Sequence, residues 1–430
     1  MISRFGTFII FITILIIVQG FSTTIQQYIA NSGVPSYSVV SESKSIFGGN
    51  IFILDLKSQV WRGIEWNHKA AVYIPKRLLY KSHAILFVTG SAPKSLADNL
   101  NQYINFAELT GAPFVILWDV PNQPLFGLKE DALIAYTLAK YFESGEEDWP
   151  ILLPMVKSVV STMDCVQDLL RKFGVDVKKF FVTGASKRGW TTYLVGAVDK
   201  RAFAIAPIVY DNLNMREQMK KQLQYYGNFS EQIKDYTKYG FTEMVAFSHE
   251  VPEIVKIIDP YYYEIESPKL IIAATNDPYW VVDSSELYFY DLKDPKYVRF
   301  IPNEGHNISN VWEVLNAIRI FFWLSINEKF PDFTWEINEN GIEVITKEEV
   351  DYAKGWYALS DNLDFRKSPW KSLNLDILNR DGKNVAHFYK SHIDNTNKNI
   401  AMMVEIGLVV DGYKITLTTI PKVYKNSNVK

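Results

Sequence analysis

Ser186 stands in the string Val182-Thr183-Gly184-Ala185-Ser186-Lys187-Arg188-Gly189-Trp190, where an apolar run meets small residues around one serine. A serine hydroxyl is a weak nucleophile until a base takes its proton, and that base needs a carboxylate to orient it. Two later residues suit these roles. Asp277 closely follows the apolar run 270–274, and His306 follows the run 298–302 within Pro302-Asn303-Glu304-Gly305-His306. Asp283 is a rival acid, but it lies further from its strand and is placed to cap a helix beginning at Ser284. An acyl oxygen gaining negative charge also needs donors. The backbone N–H of Lys187 is one candidate. Thr89-Gly90-Ser91 is the second, since glycine lets backbone approach a ligand closely. The side chains of Lys187 and Arg188 offer a cation for the carbonyl oxygen or a substrate carboxylate, yet both also read as exposed residues at a helix start.

The elements that must hold these groups are legible as short apolar runs. They lie at 84–88, 114–118, 179–183, 203–209, 270–274 and 298–302, with amphipathic stretches such as 131–142 and 311–324 between them. Continuous apolar runs suit strands buried on both faces, and alternation with helices implies a doubly wound, mostly parallel sheet. A strand, a sharp turn carrying serine and then a helix make a nucleophile elbow. Side chains larger than those of Gly184 and Ala185 would strike neighbouring strands. The usual elbow has glycine two positions after serine, whereas here Arg188 holds that place and Gly189 follows it. The chain order serine, acid, histidine is that of the α/β-hydrolase fold, expected here over about 23–328. The stretch 213–262 is longer than an ordinary crossover. It reads either as a helical cap or as a crossover with extra helices. Turn-separated strands across 329–430 predict a C-terminal antiparallel β-sandwich, packed beside the sheet without supplying catalysis.

Composition narrows the classes further. The formal net charge is −3 with both signs mixed, so no basic run can grip a phosphate backbone and nucleic acid is an unsuitable partner. A chain of 430 residues that is 48% hydrophobic has material for two cores. Cys165 is the single cysteine, which excludes an intrachain disulfide and reads as a small buried apolar residue. No His or Cys pair has metal-ligand spacing and no Gly-rich phosphate loop follows the first strand, so neither metal nor cofactor is expected. His68 falls on an early hairpin and is a weaker candidate. Arg4, the apolar run 8–18 and the small residues Gly20, Ser22 and Thr23 read as a signal peptide over 1–22. The run is shorter than the roughly 20 residues a bilayer needs, so a secreted, extracellular protein without a stable membrane anchor is expected. Two sequons occur, at Asn228 and Asn307. Asn228, in the polar stretch, is expected to carry a glycan, and Asn307 to stay bare in a packed loop.

Several strings resemble the PhoPQ-activated pathogenicity-related family. They include Ser58-Gln59-Val60-Trp61-Arg62-Gly63, Val120-Pro121-Asn122-Gln123-Pro124-Leu125, Glu130-Asp131-Ala132-Leu133, the Ser186 string, Tyr210-Asp211-Asn212-Leu213-Asn214-Met215 and Leu363-Asp364-Phe365-Arg366. The resemblance implies an α/β-hydrolase fold similar to dipeptidyl-peptidase catalytic domains, with its serine, acid and histidine on Ser186, Asp277 and His306. It implies a peptide or ester substrate. Because eukaryotic members look like secreted autocrine signals that slow proliferation, it also implies a cell-surface receptor or a secreted protein partner. The serine-basic pattern is similar to glucuronoyl esterases as well, where the basic side chain helps the oxyanion. A carbohydrate esterase and a non-catalytic ligand are the competing readings. Cleavage of the signal peptide should leave a mature protein beginning between Gly20 and Thr24, and N-terminal sequencing of protein from the medium that returns Met1 excludes it.

Overall fold

The computed structural model describes residues 23–393 and 397–426. The expected signal peptide at 1–22 lies outside them. Nine strands build the first part of the sheet: β1 (Ser36–Lys44), β2 (Asn50–Trp61), β3 (Ile64–Ile74), β4 (His83–Val88), β5 (Phe114–Leu117), β6 (Lys179–Ala185), β7 (Ala202–Ile208), β8 (Lys269–Ala274) and β9 (Lys296–Ile301). Their order is β1-β2-β3-β5-β4-β6-β7-β8-β9. The first three form an antiparallel ribbon that joins β5 antiparallel, and β5 through β9 run parallel. This is the α/β-hydrolase fold, and the six apolar runs read from the sequence are its six parallel strands.

Alternation along those strands feeds two separate cores. In β4, Ala84, Leu86 and Val88 face one core and Ile85 the other; in β6, Phe180 and Val182 oppose Phe181. Helices Glu130–Ser144, Leu152–Arg171 and Lys187–Val198 cover the first face, while Ile104–Thr110 and Val311–Asn327 cover the second. Ile25, on the helix Thr23–Asn31, is fully buried in the first core. Cys165 is buried within Leu152–Arg171, and burial pushes its thiol up to about 12.

Between β7 and β8 the chain is almost wholly helical: Met215–Tyr226, Lys234–Thr237, Phe241–Phe247 and Glu253–Ile258, with short 3-10 turns. Asp259 ties the base of this insertion. Its carboxylate accepts from the N–H of Met215 at 2.7 Å and of Tyr261 at 3.0 Å, and burial raises its pKa to about 7.

The remaining strands are β10 (Phe333–Asn338), β11 (Gly341–Thr346), β12 (Glu349–Ser360), β13 (Lys371–Asn374), β14 (Ile377–Arg380), β15 (Lys383–Tyr389), β16 (Asn399–Val410), β17 (Tyr413–Thr418) and β18 (Lys422–Tyr424). They form the expected antiparallel sandwich, but one of its sheets continues the hydrolase sheet. β17 pairs antiparallel with β9, and β16, β12 and β13 follow outward. The other sheet, β10-β11-β15-β14, covers the same face as Val311–Asn327, so Ile342, Val344 and Phe388 share a core with Ile318 and Phe321. A buried cation fastens the junction: Arg299 on β9 donates to Glu405 on β16 at 2.7 Å and pairs with Glu313. A chain ending at Glu328 therefore loses the neighbour of β9 and a third of the second core. It is expected to melt without a cooperative transition, and a cooperative circular-dichroism melt near that of the full chain refutes the joint-core picture.

Candidate functional site

The turn after β6 holds Ser186 at φ 58° and ψ −123°, with its N–H donating to the Ile208 carbonyl at 2.8 Å. Close backbone approach enforces this turn. A Cβ on Gly184 would lie 2.9 Å from the Val88 carbonyl oxygen, and one on Gly189 would lie 2.9 Å from that of Ile208. Gly189 thus supplies the tight helix–strand contact one position later than usual, which leaves room for a side chain at position 188.

Arg188 uses that room to cross the loop after β4. A Cβ on Gly90 would meet its Nη2 at 2.8 Å. Its Nε donates to the Val120 carbonyl at 2.5 Å, and its two Nη atoms donate to Glu130 at 2.6 and 2.7 Å. Burial alone would raise the Glu130 pKa, but the guanidinium outweighs burial and holds it at about 2. Lys187 Nζ lies 2.7 Å from Asp131 Oδ2, and only 11% of its side chain is exposed. Both cations are thus committed to carboxylates. Both also lie in the wall of the groove beside Ser186, and neither is an exposed helix-start residue. The Lys187 N–H remains as a donor, because the first amides of a helix have no intrahelical partner. Gly90 is placed beside Arg188, with its carbonyl accepting from Asp119 at 2.6 Å.

The expected base and acid meet the serine. His306 Nε2 is 2.8 Å from Ser186 Oγ, and His306 Nδ1 is 2.7 Å from Asp277 Oδ2. The carboxylate can only accept, so Nδ1 donates and Nε2 is free to take the Ser186 proton. Asp277 is buried, and its other oxygen accepts from the Tyr279 N–H at 2.9 Å. The Tyr279 ring lies against His306 at 4.1 Å between centroids. Asp283 plays no part. It caps no helix either, because its carboxylate accepts from Tyr225 at 2.8 Å and pairs with Lys221 at 3.0 Å.

Two asparagines that sequence reasoning passed over lock the acid and base loops to the C-terminal region. Asn276 Nδ2 donates to the Ser368 carbonyl at 2.8 Å. Asn303 exchanges two hydrogen bonds with the Trp370 backbone, at 2.7 and 3.0 Å. The loops also bond to each other, Asn276 N–H to Glu304 O at 2.9 Å and Asn303 N–H to Thr275 Oγ1 at 2.9 Å.

Ser186 opens onto two spaces. One is a wide groove of about 670 Å³ that includes His306, Arg188, Gln232 and Asn307. The other is a narrower, partly open pocket of about 50 Å³ under the helical insertion, with Met215, Met219, Phe241 and Val245 in its wall. The stretch 215–247 therefore caps the site. Asn228 and Asn307 are both exposed, so the packed-loop reason for leaving Asn307 bare does not hold. Among the described residues no cluster of His, Cys, Asp and Glu is arranged to hold a metal ion, and no helix is long and apolar enough to cross a membrane.

His68 is structural. Its Nδ1 donates to the Asp119 carbonyl at 2.9 Å and its Nε2 accepts from Ser58 at 2.9 Å, so it supports the turn against which Gly90 rests. Burial lowers its pKa to about 4. A depressed folded pKa means the unfolded chain binds the proton more readily, so this contribution is complete above about pH 6.5 and is lost as pH falls towards 4. The shift corresponds to about 3 kcal/mol. His68→Gln is expected to be less stable than wild type at pH 7.5, with the gap in melting temperature closing towards pH 4.5; a gap that stays constant refutes it.

The profile of the PhoPQ-activated pathogenicity-related protein family matches residues 25–366. Autocrine proliferation repressor protein A of Dictyostelium discoideum is 32% identical over 351 residues, covering 73% of this chain and 70% of that protein. Among solved structures, acetyl xylan esterase 1 from Thermoanaerobacterium sp. aligns with a TM-score of 0.49 at 15% identity, over 70% of this chain and 93% of the other. The glucuronoyl esterase of Solibacter usitatus aligns with a TM-score of 0.42 at 12% identity, over 71% and 93%. The matched residues take in the Ser186 elbow, Asp277, His306 and the segment up to Arg366 beside the acid loop, and on that extent of agreement the chain belongs to the PhoPQ-activated pathogenicity-related protein family.

Proposed function

We propose that this chain is a secreted serine hydrolase that cleaves an ester or peptide through an acyl-Ser186 intermediate. The observation that carries the reading is the unbroken hydrogen-bonded chain Ser186–His306–Asp277 opening onto a groove. Ser186 Oγ attacks the substrate carbonyl carbon while its proton passes to His306 Nε2. The negative charge on the carbonyl oxygen faces the Lys187 N–H and the Thr89–Ser91 loop. The carbonyl re-forms, the bond to the leaving group breaks, and His306 hands its proton to the departing oxygen or nitrogen. A water then attacks the acyl carbon, gives its proton to His306, and releases the acid and free Ser186. Asp277 keeps the imidazole in one tautomer and stabilises it when charged.

The relative's description as an autocrine proliferation repressor favours a second role, an extracellular signal that restrains proliferation through a receptor. The apolar run at 8–18 supports secretion. The two roles are compatible, since a hydrolase can signal by trimming a secreted partner.

A fluorophosphonate probe applied to protein from the medium is expected to label wild type and not Ser186→Ala. Asp277→Asn is expected to label about 10³–10⁴-fold more slowly, because the imidazole takes the wrong tautomer. Unlabelled wild type of normal melting temperature refutes the hydrolase reading and leaves the scaffold as a ligand.

A further inference from the structure

The two spaces at Ser186 are unequal, and His306 tells them apart. It lines the wide groove and is absent from the wall of the narrower pocket. The histidine that takes the serine proton must deliver it to the departing atom, so the leaving group occupies the space His306 lines. The acyl portion then enters the narrower pocket, whose wall includes Trp190, Tyr210, Met219, Tyr236, Phe241 and Val245.

That pocket has a volume of about 50 Å³. An apolar cavity of about 150 Å³ takes a benzene ring, so a space of this size takes a group of only a few non-hydrogen atoms. The far wall is held firmly. Gln218 donates to the Leu213 and Ser284 carbonyls, Gln222 donates to the Tyr279 carbonyl at 3.0 Å, and Lys221 pairs with Asp283. These bonds tie the helix Met215–Tyr226 to the segment after β8, and Asp259 ties its start to the base of the insertion. The charges near Ser186 are also spent. Asp131 pairs with Lys187 and accepts from Tyr236 at 3.0 Å and Tyr279 at 3.2 Å, which leaves no free charge for a charged acyl chain.

We propose that the substrate is an ester of a short, uncharged acyl group of two to four carbons, with its larger portion on the leaving side in the groove. This rests on Ser186 being the nucleophile. Rates on p-nitrophenyl acetate, butyrate and octanoate, each corrected with Ser186→Ala, test it beside fluorophosphonate labelling of the same preparation. The better of acetate and butyrate is expected to exceed octanoate in kcat/KM by at least about tenfold, since methylenes without a place in a pocket are strongly discriminated. Phe241→Ala and Met219→Ala enlarge the wall at two places, and each is expected to raise the octanoate-to-butyrate ratio by about tenfold. A labelled protein that prefers octanoate, or that cleaves none of the three esters, overturns the short-acyl inference and leaves the nucleophile standing. A protein that neither labels nor hydrolyses overturns the nucleophile, and the inference falls with it.

Discussion

The site depends on one constrained residue. Ser186 is held at φ 58°, a conformation that costs a non-glycine residue about 1–3 kcal/mol and persists only where the surroundings impose it. Here they do so through backbone contact. The Ser186 N–H is bonded to β7, Gly184 rests on the β4 edge, and Gly189 lets the following helix settle against the Ile208 carbonyl. Those contacts lift the hydroxyl out of the sheet, to the point that His306 reaches from the end of β9. A side chain at either glycine would open the turn before it touched any reacting group.

The arginine two positions after the serine follows from the same geometry. Where most elbows need glycine, this one has moved the requirement to Gly189, and Arg188 has become a cross-link. Its guanidinium binds the Val120 carbonyl and the Glu130 carboxylate across Gly90, joining the elbow, the loop after β4 and the start of the helix Glu130–Ser144. Arg188 is buried while Glu130 is partly exposed, so losing the carboxylate would strand the guanidinium. The pair is therefore a fastening for the loop in which Gly90 lies, whatever donor that loop presents.

Much of this was legible in the sequence because it follows local rules. Strands buried on both faces leave continuous apolar runs, so all six parallel strands could be read. The chain order of serine, acid and histidine picked out Ser186, Asp277 and His306, which the fold joins by hydrogen bonds. Features that depend on distant pairing left no such trace. Asn276 and Asn303 bond to backbone carbonyls 92 and 67 residues away, and a carbonyl has no sequence signature. The merging of the sandwich with the hydrolase sheet rests on β9 meeting β17, registered at Val298 and Thr418. Asp283 was misread as a helix cap because its true partners, Tyr225 and Lys221, lie on another helix. Charge and position suggested roles for Lys187 and Arg188 near the oxyanion, and only the fold reveals their pairing with Asp131 and Glu130.

The grip of Asn303 on Trp370 has a consequence for how the protein is made. Ser186 leaves the ribosome well before the segment that fastens the loop of the base, and β17, which closes the sheet against β9, comes later still. Domains tend to fold as their residues emerge, so the elbow can form while the histidine loop still lacks its anchor. The histidine loop gains this fastening only when nearly the whole chain has been synthesised. From the synthesis of Ser186 to that of β17, roughly half the length of the chain, the elbow therefore stands opposite a histidine loop that is not yet fastened.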